Sequence, residues 1–177
     1  MALDAEHSLA ALLRMVAEPS PAPAGGSAAA WCAALASALV EMTATLAHAD
    51  EVATRASSLR TRLLAAGEAE RRSYEPVLAA SSPGLREHAL SEASEPPLAI
   101  ARAATEVAEL GVTVSGRSGP AVRGDAVAGV LLAEAATRAA AQLVEINLTE
   151  RPDDPRRAEA ATLGARAARA RAEAVAR

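Results

Sequence analysis

Apolar residues recur along this chain at the three- and four-residue spacing of helices, and they never alternate for long enough to predict a strand. Prolines, glycines and polar turns divide the pattern into about six predicted helices. These cover residues 4 to 18, 27 to 48, 50 to 74, 85 to 110, 121 to 148, and the stretch after Pro155. The pattern therefore predicts an all-α bundle, and the length of 177 residues predicts one domain over 1–177.

Four details of the predicted boundaries depend on particular residues or short stretches. Ser27 is expected to cap the second helix, and Pro76 is expected to kink or end the third. The adjacent Pro96 and Pro97 predict a sharp bend within the fourth helix. The glycine-bearing stretch 111–120 is predicted to be a loop.

Composition narrows the class of protein. The chain has no Phe, one Trp and one Tyr, so Ala, Leu and Val must fill its core. A net charge of −4 with so few aromatic residues argues against a nucleic-acid surface. The start of the chain lacks the basic segment of a signal peptide, and its longest weakly polar run, 28–40, is shorter than the about 20 residues of a membrane span. We therefore expect a soluble, cytoplasmic protein with no membrane partner.

Asp125 is the first of three carboxylates on unexpected helix faces. A helical wheel places it on the side of Gly129, Leu132 and Leu143, which is the apolar side of the fifth helix. The simpler alternative is that Asp125 only caps the helix or favours its positive end.

Glu70 and Glu41 are the other two. Glu70 lies in line with Leu59, Leu63 and Tyr74 on the third helix, although its side chain could also extend to solvent. Glu41 is the first charge after the apolar 28–40 run, although it could also be exposed at the outer end of its helix. A carboxyl group on an apolar face has a raised pKa, which is the property that acid–base catalysis requires.

Other chemistry finds little support in the sequence. The three histidines lie on different segments without ligand spacing, so no metal site is predicted. The single cysteine, Cys32, cannot form an intramolecular disulfide and is interpreted as a small core residue. No Gly-x-Ser-x-Gly elbow or phosphate-binding loop is present.

Three segments, taken in order, resemble the cyclodeaminase/cyclohydrolase family. PAPAGGSAAAWCAALASALVEM is similar to that family's Pro-Thr-Pro-Gly-Gly-Gly-Ser segment and the alanine-rich helix after it. SEASEPPLAIARAATEVAEL is similar to its proline-interrupted fourth helix. AVRGDAVAGVLLAEAATRAAAQLVEINL is similar to its fifth helix, which contains Ser-Asp and ends in Ile-Asn-Leu.

The resemblance implies an all-helical homodimer that acts on a tetrahydrofolate derivative as substrate, with no further cofactor. The reaction would hydrolyse 5,10-methenyltetrahydrofolate to 10-formyltetrahydrofolate, or cyclise 5-formiminotetrahydrofolate with loss of ammonia. Asp125 is then the expected acid–base residue, assisted by Glu70 and Glu41. The expected substrate-binding residues are Gly25, Gly26, Ser27, Tyr74, Arg123 and Asn147.

Several positions depart from the family pattern. Ala24 replaces the first glycine of the loop, and residues 118–121 replace a Gly-Asn-x-Asn loop, so that both asparagines are missing. Gly124 stands in place of Ser, and Thr45 in place of Asn. These losses keep open an alternative, a divergent non-catalytic helical dimer that binds another ligand or a partner protein.

Overall fold

The computed structural model describes residues 9–19 and 24–176, which form eight helices and no strand. The helices are α1 (Leu9–Ala17), α2 (Gly25–Leu46), α3 (Asp50–Ser73), α4 (Glu75–Ala79), α5 (Pro83–Glu92), α6 (Glu95–Ser115), α7 (Pro120–Asn147) and α8 (Pro155–Ala176). The all-α fold predicted from the sequence is confirmed. The start of the predicted first helix lies outside the described residues.

Prolines account for two of the additional helices. The predicted fourth helix is interrupted before Pro96 and Pro97, which lie in the first turn of α6, where a missing N–H leaves no helical hydrogen bond unmade. Similarly, α3 ends at Ser73, and Pro76 lies in the first turn of the short helix α4. The predicted bend and helix end are therefore observed as short breaks between helices.

The predicted loop at 111–120 is wrong over its first half. Helix α6 continues through Ser115, and only residues 116–119 connect it to α7. Gly111 and the β-branched Val112 and Val114 are weak helix formers, but all three are buried against neighbouring helices. Tertiary packing therefore outweighs local propensity here.

Small residues allow α2, α6 and α7 to pack closely at the centre of the fold. A Cβ atom on Gly111 would lie 2.6 Å from Cγ2 of Val130, and one on Gly129 would lie 3.2 Å from Cγ2 of Val40. Alanines occupy most of the remaining core positions on these helices. The absence of bulky aromatic side chains is thus matched by short distances between helix axes.

We expect Gly111→Ala to destabilise the protein. The added methyl group overlaps Val130, and such overpacking lowers the free energy of unfolding by about 1–3 kcal/mol, against a helix-propensity gain of about 1 kcal/mol. A net loss of about 1 kcal/mol, the middle of the resulting range, corresponds to a decrease in Tm of about 2–4 °C by circular dichroism. Gly164→Ala is the control, because its Cβ meets no atom within 4 Å. A Gly111→Ala variant that melts at or above wild type would contradict this packing.

Within the described residues, α2 and α7 are long and apolar enough to cross a membrane by length and composition alone. About half of each apolar window, 50% in α2 and 44% in α7, is buried inside the protein. Such partial burial is also found in the core helices of soluble proteins, so the criterion is weak evidence for a span.

Candidate functional site

A cleft of about 280 Å³ lies where α2 begins and where α3 and α7 end. Its lining residues come from these three helix ends and are Ala24, Gly25, Gly26, Glu70, Arg71, Tyr74, Leu143, Ile146 and Asn147. Five of them, Gly25, Gly26, Glu70, Tyr74 and Asn147, are residues that the sequence analysis assigned to the site. The fold therefore brings together three separate segments of the chain, 24–26, 70–74 and 143–147.

Glu70 packs directly against the first turn of α2. A Cβ atom on Gly26 would lie only 2.2 Å from Cδ and Oε1 of Glu70, so the carboxyl group fits only because residue 26 is glycine. Ser27 Oγ lies 3.2 Å from Glu70 Oε2 and 3.1 Å from the carbonyl oxygen of Gly67. The glycine, the serine and the carboxyl group thus form one packed unit.

Ser27 does not cap α2, which corrects the sequence prediction. The N-cap residue is Ala24, whose side chain accepts no hydrogen bond, and Ser27 lies inside the first turn. Instead, the carboxyl group of Glu70 accepts a hydrogen bond from the backbone N–H of Ser27. A side chain from α3 therefore accepts a hydrogen bond from one of the N–H groups at the start of α2 that have no partner within the helix.

Burial raises the pKa of Glu70 above the ordinary glutamate value. The hydrogen bonds from the side chain and backbone of Ser27 act in the opposite direction, because they stabilise the charged form, but desolvation is the larger effect. With a proton on Glu70, the carboxyl group can itself donate to Ser27 Oγ while Ser27 donates to the Gly67 carbonyl. Glu70 is consequently the carboxyl group in the cleft that is suited to hold and deliver a proton.

Arg71 also lines the cleft, although it was not among the residues predicted from the sequence. The side chains of Arg71 and Glu68 are only 20% and 18% exposed. Nε and Nη2 of Arg71 donate to the two carboxylate oxygens of Glu68, at 3.1 and 2.9 Å. The i,i+3 spacing of the two charges was the available signal.

The opposite wall of the cleft comes from the last turn of α7. Nδ2 of Asn147 donates to the carbonyl oxygen of Ala93 at 3.0 Å, which fixes the side chain between α7 and the α5–α6 junction. Leu143 and the 56% exposed Ile146 provide apolar surface beside it. Tyr74 supplies the aromatic ring of the cleft, at the junction of α3 and α4.

Glu41 does not reach this cleft. It lies 15 residues after Gly26 on α2, a separation of about 22 Å along the helix. Nε and Nη2 of Arg60 donate to its carboxylate oxygens at 2.9 and 3.4 Å. The hydrogen bond from Arg60 is the main reason that the pKa of Glu41 is lowered, so Glu41 is a charged ion-pair partner.

Asp125 and Arg123 lie at the far end of α7. Twenty-two residues separate Asp125 from Asn147, which corresponds to about 33 Å of helix. The Asp125 side chain is exposed, and Nη2 of Arg123 donates to the carbonyl oxygen of Ala174 at 3.4 Å. Within one chain, the structure therefore does not bring these two predicted residues to Glu70.

The described residues contain no group of three or more His, Cys, Asp or Glu side chains that could hold a metal ion. Cys32 is half-buried, and Sγ lies 3.6 Å from the carbonyl oxygen of Leu132. Burial raises the pKa of this thiol, which disfavours the thiolate. Cys32 therefore contributes to the contact between α2 and α7.

The fold and the cleft define an all-helical protein whose candidate chemistry centres on one desolvated carboxyl group at a helix N-terminus. The chain belongs to the formiminotransferase-cyclodeaminase family, because the model of that family matches residues 8–163. This match confirms the resemblance drawn from the sequence motifs. A search of curated protein sequences found no match.

The fold also matches a solved structure, that of formiminotetrahydrofolate cyclodeaminase from Thermotoga maritima. The two chains share 24% sequence identity and superpose with a TM-score of 0.88. The match covers 96% of this chain and 94% of the Thermotoga maritima chain. The similarity therefore extends over the whole helical bundle and establishes the fold.

Proposed function

We propose that this protein is a folate one-carbon enzyme that cyclises 5-formiminotetrahydrofolate to 5,10-methenyltetrahydrofolate with release of ammonia. The observation that carries the proposal is the position of Glu70. Its carboxyl group has a raised pKa and fits into the cleft because residue 26 is glycine. Membership of the family supports the class of substrate. The predicted cytoplasmic location fits a soluble enzyme of this kind.

The reaction consumes one proton, which is why the protonated form of Glu70 matters. N10 attacks the formimino carbon, so that an N10–C bond forms and the C=N double bond becomes a single bond. The amine nitrogen then leaves as ammonia when its C–N bond breaks, and the N10 proton is transferred to solvent or to the leaving amine. Neutral substrate plus one proton gives the methenyl cation and ammonia. We assign the delivery of that proton to Glu70.

Three features of the cleft suit the proposed substrate. Apolar surface from Leu143, Ile146 and Tyr74 can pack against a flat bicyclic ring. Gly25 and Gly26 line the cleft in the first turn of α2, where backbone N–H groups lie outside the intrahelical hydrogen-bond pattern and can hold a ring carbonyl oxygen. Arg71 adds a guanidinium group for a carboxylate of the ligand. These residues bind and orient, and Glu70 moves the proton.

The hydrolysis of 5,10-methenyltetrahydrofolate has the opposite proton balance. Water adds to the methenyl carbon, the N5–C bond breaks, and one proton is released with 10-formyltetrahydrofolate. This direction requires an ionised carboxylate as base, which the buried position of Glu70 disfavours. The same carboxyl group thus favours the deaminating reaction in the pH range where it is protonated.

We expect purified protein to accelerate both ammonia release and the appearance of the near-ultraviolet absorbance of the methenyl product from 5-formiminotetrahydrofolate. The protein is expected to hydrolyse methenyltetrahydrofolate more slowly than it catalyses this deaminating reaction, after the spontaneous rate of hydrolysis is subtracted. The alternative of a non-catalytic dimer predicts no acceleration of either reaction. If neither reaction is accelerated but a reduced folate still raises Tm, the cleft binds folate without catalysing its conversion. The absence of both turnover and stabilisation would reject the proposed function.

A further inference from the structure

Arg71 lies in the cleft with only one edge of its guanidinium group occupied. Nε and Nη2 donate to the two oxygens of Glu68 at 3.1 and 2.9 Å, which leaves Nη1 and the second N–H of Nη2. Within the part of the chain that the structure describes, Nη1 has no hydrogen-bond partner. Because Arg71 lines the cleft and is partly exposed, this second edge is open to a ligand. Its two N–H groups have the parallel arrangement that a carboxylate accepts.

Glu68 fixes the plane of the Arg71 guanidinium group. The two residues are one helical turn apart on α3, and both side chains are mostly buried. A long side chain that makes two parallel hydrogen bonds has lost most of its rotational freedom before any ligand is present. A ligand that meets such a side chain does not have to order it, and binding is stronger for that reason. Glu68 therefore prepares Arg71 for binding.

Arg72 balances the charge of Glu68. Its Nε donates to Oε1 of Glu68 at 3.0 Å, and the Arg72 side chain is 65% exposed. The two arginines and the glutamate together carry a net positive charge, so Arg71 still attracts an anion although it is already paired. Glu75 also acts on Arg71 electrostatically, but it is exposed and makes no hydrogen bond with it, so solvent screens its effect.

Arg71 is separate from the proton chemistry of Glu70. Consecutive residues of a helix point about 100° apart, so Glu70 packs against Gly26 while Arg71 contacts Glu68. Burial and the hydrogen bonds from Ser27 set the pKa of Glu70. One side chain of this turn can therefore move a proton while its neighbour binds a different group of the same ligand.

We propose that Arg71 makes the cleft selective for a ligand that carries a carboxylate, and that Glu68 is the positioning residue that presents the open edge of Arg71 to it. In the proposed substrate this group is a carboxylate of the glutamyl tail, remote from the reacting atoms. The identity of the ligand rests on the proposed function, whereas the positioning of Arg71 by Glu68 does not.

The first test compares 5-formiminotetrahydrofolate with the same compound whose glutamyl carboxylates are primary amides. For wild type we expect the KM of the amide to be about tenfold higher, because a charge-assisted pair of hydrogen bonds is lost. Arg71→Gln should raise the KM of the acid about tenfold, change that of the amide less than about twofold, and leave kcat unchanged. Arg71→Lys should not restore binding, because an ammonium group has no planar second edge. Arg62→Lys, an exposed substitution on α3, is the control.

Glu68→Gln separates positioning from simple attraction. The substitution makes the cleft more positive, so attraction alone predicts a lower KM for the acid. Positioning predicts the opposite, a KM about three- to tenfold higher, because the ligand must then order Arg71 itself. The KM of the amide should not change, which distinguishes this effect from a general loss of structure. Glu51→Gln removes an exposed charge from the same helix and is the control. A Glu68→Gln variant whose KM for the acid is unchanged or lower would remove Glu68 from this role.

Nitrogen NMR of Arg71 tests the same arrangement without turnover. The Nε–H signal of Arg71, identified by its loss in Arg71→Lys, should exchange slowly with water in wild type and rapidly in Glu68→Gln. Adding 4-aminobenzoyl-L-glutamate, which carries only the carboxylate end of a folate, should shift this signal, and its diamide should not.

The outcomes of turnover and NMR distinguish two failures. A shift in a protein without turnover would reject the proposed reaction and retain the carboxylate site. An enzyme that is equally active on the acid and the amide, with no shift, would overturn the selectivity of Arg71 and retain the reaction. The absence of both shift and turnover would reject both.

Discussion

Replacing Glu70 by Gln is expected to lower the rate of ammonia release at least about 100-fold, because general acid catalysis contributes about 10²- to 10⁴-fold. Glutamine keeps the size of the side chain and its contact with Ser27 but has no proton to deliver. The loss should therefore appear in kcat, with KM little changed. Glu51→Gln, an exposed residue in the first turn of α3, is the matched control and should retain activity.

The raised pKa of Glu70 predicts the direction in which both kcat and the free energy of unfolding change with pH. Proton delivery needs the acid form of Glu70, so kcat of wild type should fall as pH rises through the raised pKa of this group. Folding also binds a proton at Glu70, because its pKa is higher in the folded chain than in the unfolded chain. The free energy of unfolding of wild type is therefore greatest below the ordinary glutamate pKa and decreases as pH rises through the raised value. Glu70→Gln should lose this decrease and become relatively more stable at alkaline pH.

The kcat of Glu70→Gln and the pH dependence of stability test two separate statements about Glu70. A Glu70→Gln enzyme with full kcat would remove Glu70 from the chemistry and return Asp125, the acid–base residue expected from the resemblance, as the candidate acid. An unchanged pH dependence of stability would mean instead that Glu70 is ionised throughout, whatever its role in the rate. The two measurements together separate the catalytic assignment from the electrostatic one.

The sequence predicted Glu70 for a reason that the structure supports. Its alignment with Leu59 and Leu63 on a helical wheel correctly indicated a position turned towards the protein interior. The same reasoning placed Asp125 on an apolar face, and that face is indeed apolar, but it is exposed in the single chain. A wheel shows which residues share a face and cannot show what covers that face.

Helix boundaries were predicted best where a covalent constraint decides them. Proline at 76, 96 and 97 marks helix starts because its ring and missing N–H act locally. The extension of α6 to Ser115 was missed because burial of Val112 and Val114 is a property of the packed bundle. Arg71 was missed for the same reason, since only the packed fold shows that its pairing with Glu68 occurs beside the cleft.

Gly26→Ala is expected to reduce activity about 10- to 100-fold while leaving the fold intact. The new methyl carbon would lie 2.2 Å from Cδ and Oε1 of Glu70, so the carboxyl group must move by an ångström or more. A displacement of that size at a catalytic group typically lowers the rate about 100-fold. The backbone need not move, because the obstructing atoms are the end of a flexible side chain, and alanine is favoured over glycine in a helix by about 1 kcal/mol.

Gly25→Ala provides the matched control for this variant. A Cβ atom at residue 25 meets no atom within 4 Å, although residue 25 precedes Gly26 on the same turn and lines the same cleft. Alanine keeps the backbone N–H group that residue 25 offers to the substrate, so Gly25→Ala should raise Tm slightly and keep activity within about threefold of wild type. Equal losses in the two variants would show that the glycines serve the substrate or the flexibility of the turn, and not the position of Glu70.

Measuring the pKa of Glu70 tests the effect of Gly26→Ala without an activity assay. When the carboxyl group is displaced from the start of α2 it loses both Ser27 hydrogen bonds and gains water, and these changes oppose each other in the pKa. Desolvation is the larger effect in wild type, so the pKa of Glu70 measured by carbon-detected NMR titration should decrease towards the ordinary glutamate value in Gly26→Ala. It should remain raised in Gly25→Ala. An unchanged pKa in both variants would mean that the carboxyl group accommodates the methyl without leaving its buried position, and residue 26 would then have no specific role in the acid chemistry.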